Sequence, residues 1–183
     1  MAPEPATARP VILCAGSLHH DLIVEAPGLP RIDQTLTGTA VRTAFGGKGG
    51  NQAAAAARAG AEVHMAGAVG SDDAAITLRA ALDDAGVRRA GVQTHSGASG
   101  MSVAISLPDG SYGAVIVSGA NLLFRPEAVI FPKACTLLLL QSELPEAANL
   151  DLARRAHATG IRTILNAAPA RPVSAELLAL TDL

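Results

Sequence analysis

The chain has 183 residues, a formal net charge of −2 and a pI near 6.2. With 49% hydrophobic and 16% charged residues, it has the composition of a globular protein, which excludes collagen-like, disulfide-scaffold and long disordered classes. The charge offers no basic surface for nucleic acid, and no run reaches the ~18 apolar residues that a membrane span needs. We expect a cytoplasmic protein that binds neither nucleic acid nor membrane, with two buried thiols and a disordered tail at residues 1–10.

The first elements in chain order are three strands. The apolar run Val11–Ala15 predicts a buried strand that ends at Gly16. Residues 18–24 predict a half-polar strand with His19, Asp21 and Ile23 on one face. After a Pro/Gly turn, the Thr-rich residues 35–43 predict an exposed strand, so that two antiparallel strands lie outside the main core.

Helices then alternate with strands. Five consecutive alanines predict a helix that begins near Asn51 and ends at Gly60, and a strand follows at Glu62–Val69. Ser71 or Asp72 is expected to cap a second helix that runs through Ala85, with Ile76, Leu78 and Leu82 as its apolar set. This alternation is typical of a layered α/β domain.

A predicted hairpin interrupts the alternation. Residues 101–107 and Tyr112–Val117 flank the turn sequence Pro108-Asp109-Gly110. The unbroken apolar run 136–140 then predicts a central parallel strand. A helix over 145–159, a strand over 161–166 and a short helix over 174–180 complete the pattern.

The strongest local signal is the glycine-rich turn at residues 45–51, which leads directly into a helix. Backbone N–H groups and the positive end of the helix dipole favour a polyhydroxy or anionic ligand, and glycines permit its close approach. The spacing fits neither a P-loop nor a dinucleotide fingerprint. A plain tight turn with a solvated Lys48 remains an alternative.

Three polar residues lie where strands would present them. Asp21 interrupts an apolar strand, and its alternative role is that of an exposed surface acid. Glu143 follows a predicted central strand, at the end where open α/β sheets bind ligands, although it also suits a helix N-terminus. Asn166 follows the next strand, where a turn-capping role is equally open.

These motifs resemble the ribokinase (PfkB) family. The matching strings are Gly-Gly-Lys-Gly-Gly-Asn-Gln-Ala from Gly46, Gly-Ala-Val-Gly-Ser-Asp from Gly67, Gly-Ala-Asn from Gly119, Gln-Ser-Glu from Gln141 and Asn-Ala-Ala-Pro-Ala-Arg from Asn166. The resemblance runs from Val11 to Leu183 and points to the ribokinase branch. It implies an α/β sandwich with a mostly parallel central sheet and a small β-sheet lid. The core would comprise residues 11–18, 44–98 and 119–183, and the lid residues 19–43 and 99–118, through which a homodimer would form.

The resemblance also implies a sugar site between lid and core. By position, the substrate-binding residues would be Asp21, Gly46, Gly47, Lys48, Asn51 and Glu143, with His19 and Asn166 as further candidates. His19 stands where ribokinases usually have Asn, and Asp33-Gln34 replaces their usual Gly-Glu pair. No metal site is expected, because neighbouring strand residues point to opposite faces and the other histidines lack i, i+4 partners.

The family's catalytic parts are missing from this sequence. The family base is the Asp of Gly-Ala-Gly-Asp, and neither that motif nor Asn-x-x-Glu occurs, so no catalytic residue is predicted. The family uses MgATP and a monovalent cation such as K⁺, whose sites we expect to be absent. We therefore expect the N-terminal, acceptor-binding half of a sugar kinase, inactive alone. The alternative is a non-catalytic sugar-binding or lid-dimerisation module.

Overall fold

The computed structural model describes residues 9–183, so all but the last two residues of the predicted tail lie outside it. Within this range the chain forms two β-sheets and four α-helices. The strands are β1 (Val11–Ala15), β2 (His19–Glu25), β3 (Ala40–Gly46), β4 (Glu62–Val69), β5 (Arg88–Thr94), β6 (Gly100–Ser106), β7 (Tyr112–Val117), β8 (Cys135–Gln141) and β9 (Arg162–Asn166). The helices are α1 (Lys48–Arg58), α2 (Asp73–Asp84), α3 (Glu146–Ala158) and α4 (Ala175–Ala179).

The central sheet has five parallel strands in the order β5-β4-β1-β8-β9. Its inner strands are continuous apolar runs, as expected for a parallel sheet covered on both faces. Leu13, Cys14 and Ala15 of β1 are all fully buried. One apolar cluster joins the sheet to α3 and α4, and a second joins its other face to α1 and α2.

The second sheet, called the lid below, has four strands in the order β3-β2-β6-β7. Strands β2 and β3 pair antiparallel, as do β6 and β7, and the two pairs join through parallel β2 and β6. The register places Asp21 opposite both Ala44 and Ser102, so these residues share one face. The mostly parallel sheet with a smaller second sheet confirms the predicted fold class.

Four details differ from the sequence-based expectations. Helix α1 begins at Lys48 rather than near Asn51, because Gly47 occupies the N-cap. Ile76 lies on the exposed side of α2, whereas Leu78 and Leu82 are buried. Strand β5 was not predicted, since its charged and polar residues hide the pattern of an edge strand. Strand β3 covers Ala40–Gly46 rather than residues 35–43, so residues 44–46, which were expected in the core, belong to the lid sheet.

The strand order places a switch point in the middle of the sheet. After β1 the central-sheet path runs outward to β4 and β5, and it then returns to β8 on the other side of β1. Open α/β sheets bind ligands in the crevice at the carboxyl ends of strands where the order reverses. In this chain that crevice lies beside Ser17, which follows β1, and Glu143, which follows β8.

Candidate functional site

A cleft of about 290 Å³ lies at this switch point, between the lid and the central sheet. Its walls come from β2, from the start of α1, from β6 and β7, and from the segment after β8. The lining residues include His19 and five of the predicted substrate-binding residues: Asp21, Gly47, Lys48, Asn51 and Glu143. Residues far apart in sequence therefore meet in one place.

Glu143 is the most constrained group of the cleft. Its Oε2 accepts hydrogen bonds from the Ser17 hydroxyl at 2.5 Å and from the Lys48 backbone N–H at 2.8 Å. The Lys48 ammonium lies 3.1 Å from Oε1, and only 6% of the Glu143 side chain is exposed. Burial alone would raise the pKa of Glu143, but the hydrogen bonds from Ser17 and Lys48 outweigh it and hold the pKa below its usual value. Glu143 is therefore a fixed carboxylate that ties β1, α1 and β8 together.

Asp21 supplies the second carboxylate, from the lid side. Ser102 of β6 donates its hydroxyl to Asp21 Oδ1 at 2.8 Å, as their paired register allows. A Cβ on Gly46 would stand 2.1 Å from Asp21 Oδ2. Gly46 therefore makes room for the Asp21 carboxylate from behind and does not itself line the cleft.

The remaining glycines of the turn bring two stretches of backbone close together. Gly47 has φ 86°, in the region that favours glycine, and a Cβ there would lie 2.6 Å from the Ser17 carbonyl oxygen. A Cβ on Gly49 would lie 2.5 Å from the carbonyl carbon of Gly16. The loop after β1 therefore occupies part of the space beside these glycines that the sequence analysis assigned to a ligand. This packing aims the first N–H of α1, that of Lys48, at Glu143, whereas the Gly50 N–H donates to the Ser17 carbonyl.

Asn121, the last residue of the Gly-Ala-Asn string, holds the start of the lid in place. Its buried side chain accepts from the Leu18 N–H at 3.0 Å and donates to the Leu18 carbonyl at 2.9 Å. A third bond runs from its amide to Ser118. Asn121 therefore fixes the chain where it leaves the central sheet for the lid, just before His19 and Asp21.

His19 is 2% exposed and forms part of the cleft wall. Burial lowers the pKa of His19, against the raising influence of the Glu143 and Asp21 carboxylates. Its Nε2 has no hydrogen-bond partner. The ring thus forms part of the cleft wall, while its unpaired Nε2 is buried.

Besides Gly46, one of the candidate site residues does not lie in this cleft. Asn166 lies at the end of β9, opposite Gln141 of β8, and does not line the cleft. Sequence reasoning missed Ser17 and Ser102, which hold the two carboxylates. A signal for Ser102 existed, since it alternates with the apolar residues of a predicted hairpin strand, but its partner depends on the β2–β6 pairing.

Across residues 9–183 no group of three or more His, Cys, Asp or Glu side chains is placed to hold a metal ion. In the described range, no helix combines the length and the apolar character that crossing a bilayer requires.

A parallel sheet with a carboxylate- and lysine-lined cleft at its switch point, covered by a second sheet, defines an α/β protein with a polar cleft between two sheets. Comparison with known proteins narrows this class. The model of the pfkB family of carbohydrate kinases matches residues 10–183. The chain belongs to the pfkB carbohydrate kinase family.

The most similar proteins found include ribokinases. The ribokinase of Bacillus subtilis is 35% identical over 171 residues, which cover 91% of this chain and 58% of that protein. The ribokinase of Haemophilus influenzae is 34% identical over 182 residues, with coverage of 96% and 59%. The structure of Arabidopsis thaliana ribokinase complexed with ribose and ATP superimposes with a TM-score of 0.83 at 29% identity, over 96% of this chain and 59% of that one. The chain thus spans less than two thirds of the length of these relatives.

Proposed function

We propose that this chain supplies the acceptor-binding part of a cytoplasmic, ribokinase-like sugar kinase. The reaction would transfer the γ-phosphate of ATP to the 5-hydroxyl of ribose or a related sugar. The observation that carries the proposal is the meeting of Asp21, Lys48 and Glu143 in one cleft at the switch point of the sheet. The ribokinases among its relatives support the choice of acceptor.

The chemistry of these groups suits a polyhydroxy ligand. A carboxylate has about four lone-pair sites, so Asp21 can accept from sugar hydroxyls while it holds Ser102. The Asn51 amide is exposed at the cleft and offers both a donor and an acceptor. Lys48 is fixed by Glu143 and adds donors from its ammonium group. These residues would bind and orient the sugar.

Phosphoryl transfer requires further groups. A base must take the hydroxyl proton, and donors or Mg²⁺ must hold the charge on the transferred phosphate. The sequence lacks the Gly-Ala-Gly-Asp and Asn-x-x-Glu motifs, and the described carboxylates do not cluster as metal ligands. We therefore assign no residue of this chain to MgATP or to a monovalent cation. We propose that these 183 residues bind sugar without turning it over.

Calorimetry with ribose tests the binding proposal directly. The chain is expected to bind ribose without ATP, and Asp21→Asn is expected to weaken binding by about tenfold or more, as expected when a hydrogen bond to a charged group is lost. Glu127→Gln, on an exposed acid of the same charge, serves as the control and should leave the affinity unchanged. No binding by the chain, or equal affinity in Asp21→Asn, would refute the site. Turnover with ribose, MgATP and K⁺ above background would refute the claim of inactivity.

A homodimer through the lid is also proposed. The lid face opposite Asp21 carries exposed apolar side chains from three strands, among them Val41, Val103, Val115 and Val117. Their exposed fractions are 66%, 40%, 69% and 61%. A contiguous apolar surface on a sheet is typical of an interaction site.

A further inference from the structure

A second cavity of about 340 Å³ adjoins the cleft on the side of β8 and β9. Its walls are mixed in character. Leu122, Leu144 and Pro169 are apolar, whereas Ser118, Ser142 and Arg171 are polar or charged. Such a mixture suits a planar, partly polar group better than a compact anion, and no role in the proposed reaction has been assigned to it.

Three residues line both cavities: His19, Ile116 and Glu143. Glu143 is held by Ser17 and Lys48, so its position is fixed by the fold. Ile116 comes from β7 of the lid and is 46% exposed. His19 comes from the start of β2 and is the deepest of the three, at 2% exposed.

The place of His19 in this wall is set by packing. A Cβ on Gly100 of the paired strand β6 would lie 2.4 Å from His19 Cδ2, so the ring lies directly against that glycine. Its Nε2 is buried and makes no hydrogen bond, and an unpaired buried polar atom is unfavourable. The fold therefore gains no hydrogen bond from this nitrogen, and an apolar side chain would fill the space without that cost. The bulk of the ring, rather than a hydrogen bond from this nitrogen, is therefore what His19 contributes to the wall.

We infer that His19, together with Ile116, forms the partition between the two cavities and limits the acceptor to a sugar without a bulky substituent. This inference rests on the proposed function, since it assumes that the sugar occupies the first cleft. The cleft alone lies at the lower end of the ~300–1,000 Å³ usual for small-molecule pockets. Removing the partition would join it to the second cavity and admit a planar substituent on the sugar. His19 would then be a residue that determines specificity by size.

The test compares ribose with inosine, which carries a purine on the same ribofuranose. Dissociation constants for both are measured by calorimetry on the chain, its His19→Ala variant and its Ile116→Ala variant. The chain should favour ribose, and each variant should shift the ribose-to-inosine preference towards inosine by about tenfold, the scale of a pocket-size effect. Ile116→Ala is the variant that leaves every polar contact in place, so it tests the partition if His19→Ala folds poorly.

Leu122→Ala is the matched control, because Leu122 lines only the second cavity and is already 60% exposed. It enlarges that cavity without opening the partition, so the preference should stay as in the unmodified chain. An unchanged preference in both partition variants, while ribose still binds, overturns this inference and leaves the proposed function standing. Failure of the unmodified chain to bind ribose overturns both. A shift in Leu122→Ala as large as in the partition variants also overturns the inference.

Discussion

Glu143 shows how one side chain couples the site to the stability of the fold. It accepts from Ser17 and Lys48 while its side chain is 6% exposed, so Glu143→Gln should lower the free energy of unfolding at pH 7 by about 1–3 kcal/mol. The lower part of this range applies if the partly exposed Lys48 is readily solvated in the variant. Urea unfolding measures this loss.

The pH dependence of that loss has a definite sign. The pKa of Glu143 is lowered in the folded state, so its stabilisation is fully present above the unfolded pKa, near 4.5, and is lost as the pH falls through the folded value. The difference between the chain and Glu143→Gln should therefore shrink below about pH 4.5. Glu127→Gln, which removes an exposed carboxylate, is the control for the loss of one negative charge at pH 7. A difference that stays constant from pH 7 to pH 3 would contradict the assignment.

Gly46 leaves room for the Asp21 carboxylate, so a substitution there tests the contact between Asp21 and the sugar. In Gly46→Ala the new Cβ would lie 2.1 Å from Asp21 Oδ2, and the short Asp21 side chain can rotate away from it. Ribose affinity should fall by about tenfold or more, because the carboxylate leaves its place in the cleft. The midpoint of thermal unfolding should fall only by what the hydrogen bond from Ser102 to Asp21 contributes. Gly28→Ala, where a Cβ meets nothing within 4 Å, is the control for both measurements. Unchanged affinity in Gly46→Ala would show that Asp21 does not contact the sugar.

At the scale of elements, Asp72 joins α2 to the lid. Its carboxylate accepts from the Ala75 N–H at the start of α2, and also from the Ser99 N–H at 2.8 Å and the Ser99 hydroxyl at 2.6 Å. Ser99 in turn accepts from the Gly70 N–H and immediately precedes β6. The Gly-Ala-Val-Gly-Ser-Asp string is therefore a structural connection between core and lid.

Asp72→Ala should consequently cost more than an ordinary helix cap. Loss of the cap is worth about 1 kcal/mol, and the unpaired Ser99 groups should bring the total to about 2–3 kcal/mol of unfolding free energy. Ser174 caps α4 through a bond to the Leu177 N–H, so Ser174→Ala measures the loss of a cap whose side chain joins no second element. Equal losses in the two variants would show that the bonds to Ser99 do not contribute.

The elements could be predicted from the sequence where local chemistry decides them. An N-cap at Ser71 or Asp72 and a strand over Glu62–Val69 follow from capping and apolar pattern, and the structure has that strand and Asp72 as the cap. The start of α1 was wrong because the packing of Gly47 and Gly49 against the loop after β1 decides it, and that contact is non-local. Non-local contacts limit the prediction of the site in the same way. Asp21 and Glu143 could be proposed from their positions within or after predicted strands. Ser17 contacts Glu143 only because β1 and β8 lie side by side, which the sequence alone does not reveal.

At the scale of the whole molecule, the two faces of the lid differ in character. The face towards the cleft carries His19, Asp21 and Ser102, whereas the register places Val103 opposite Val115 on the other face. Charged substitution on the outer face should therefore disrupt association without touching the sugar site. This separates the proposed dimer from the proposed binding function.

Val103→Glu is expected to convert a dimer of this chain into a monomer in sedimentation equilibrium, because a carboxylate buried in an apolar interface without a partner is costly. Ribose affinity should fall by less than about threefold, since the substituted side chain points away from the cleft. Ile76→Glu is the matched control: Ile76 is 69% exposed on α2, outside the lid, and its substitution should leave the dimer intact. A monomeric unmodified chain at concentrations well above those of the binding assays would refute the lid dimer, as would a Val103→Glu variant that sediments as the parent does.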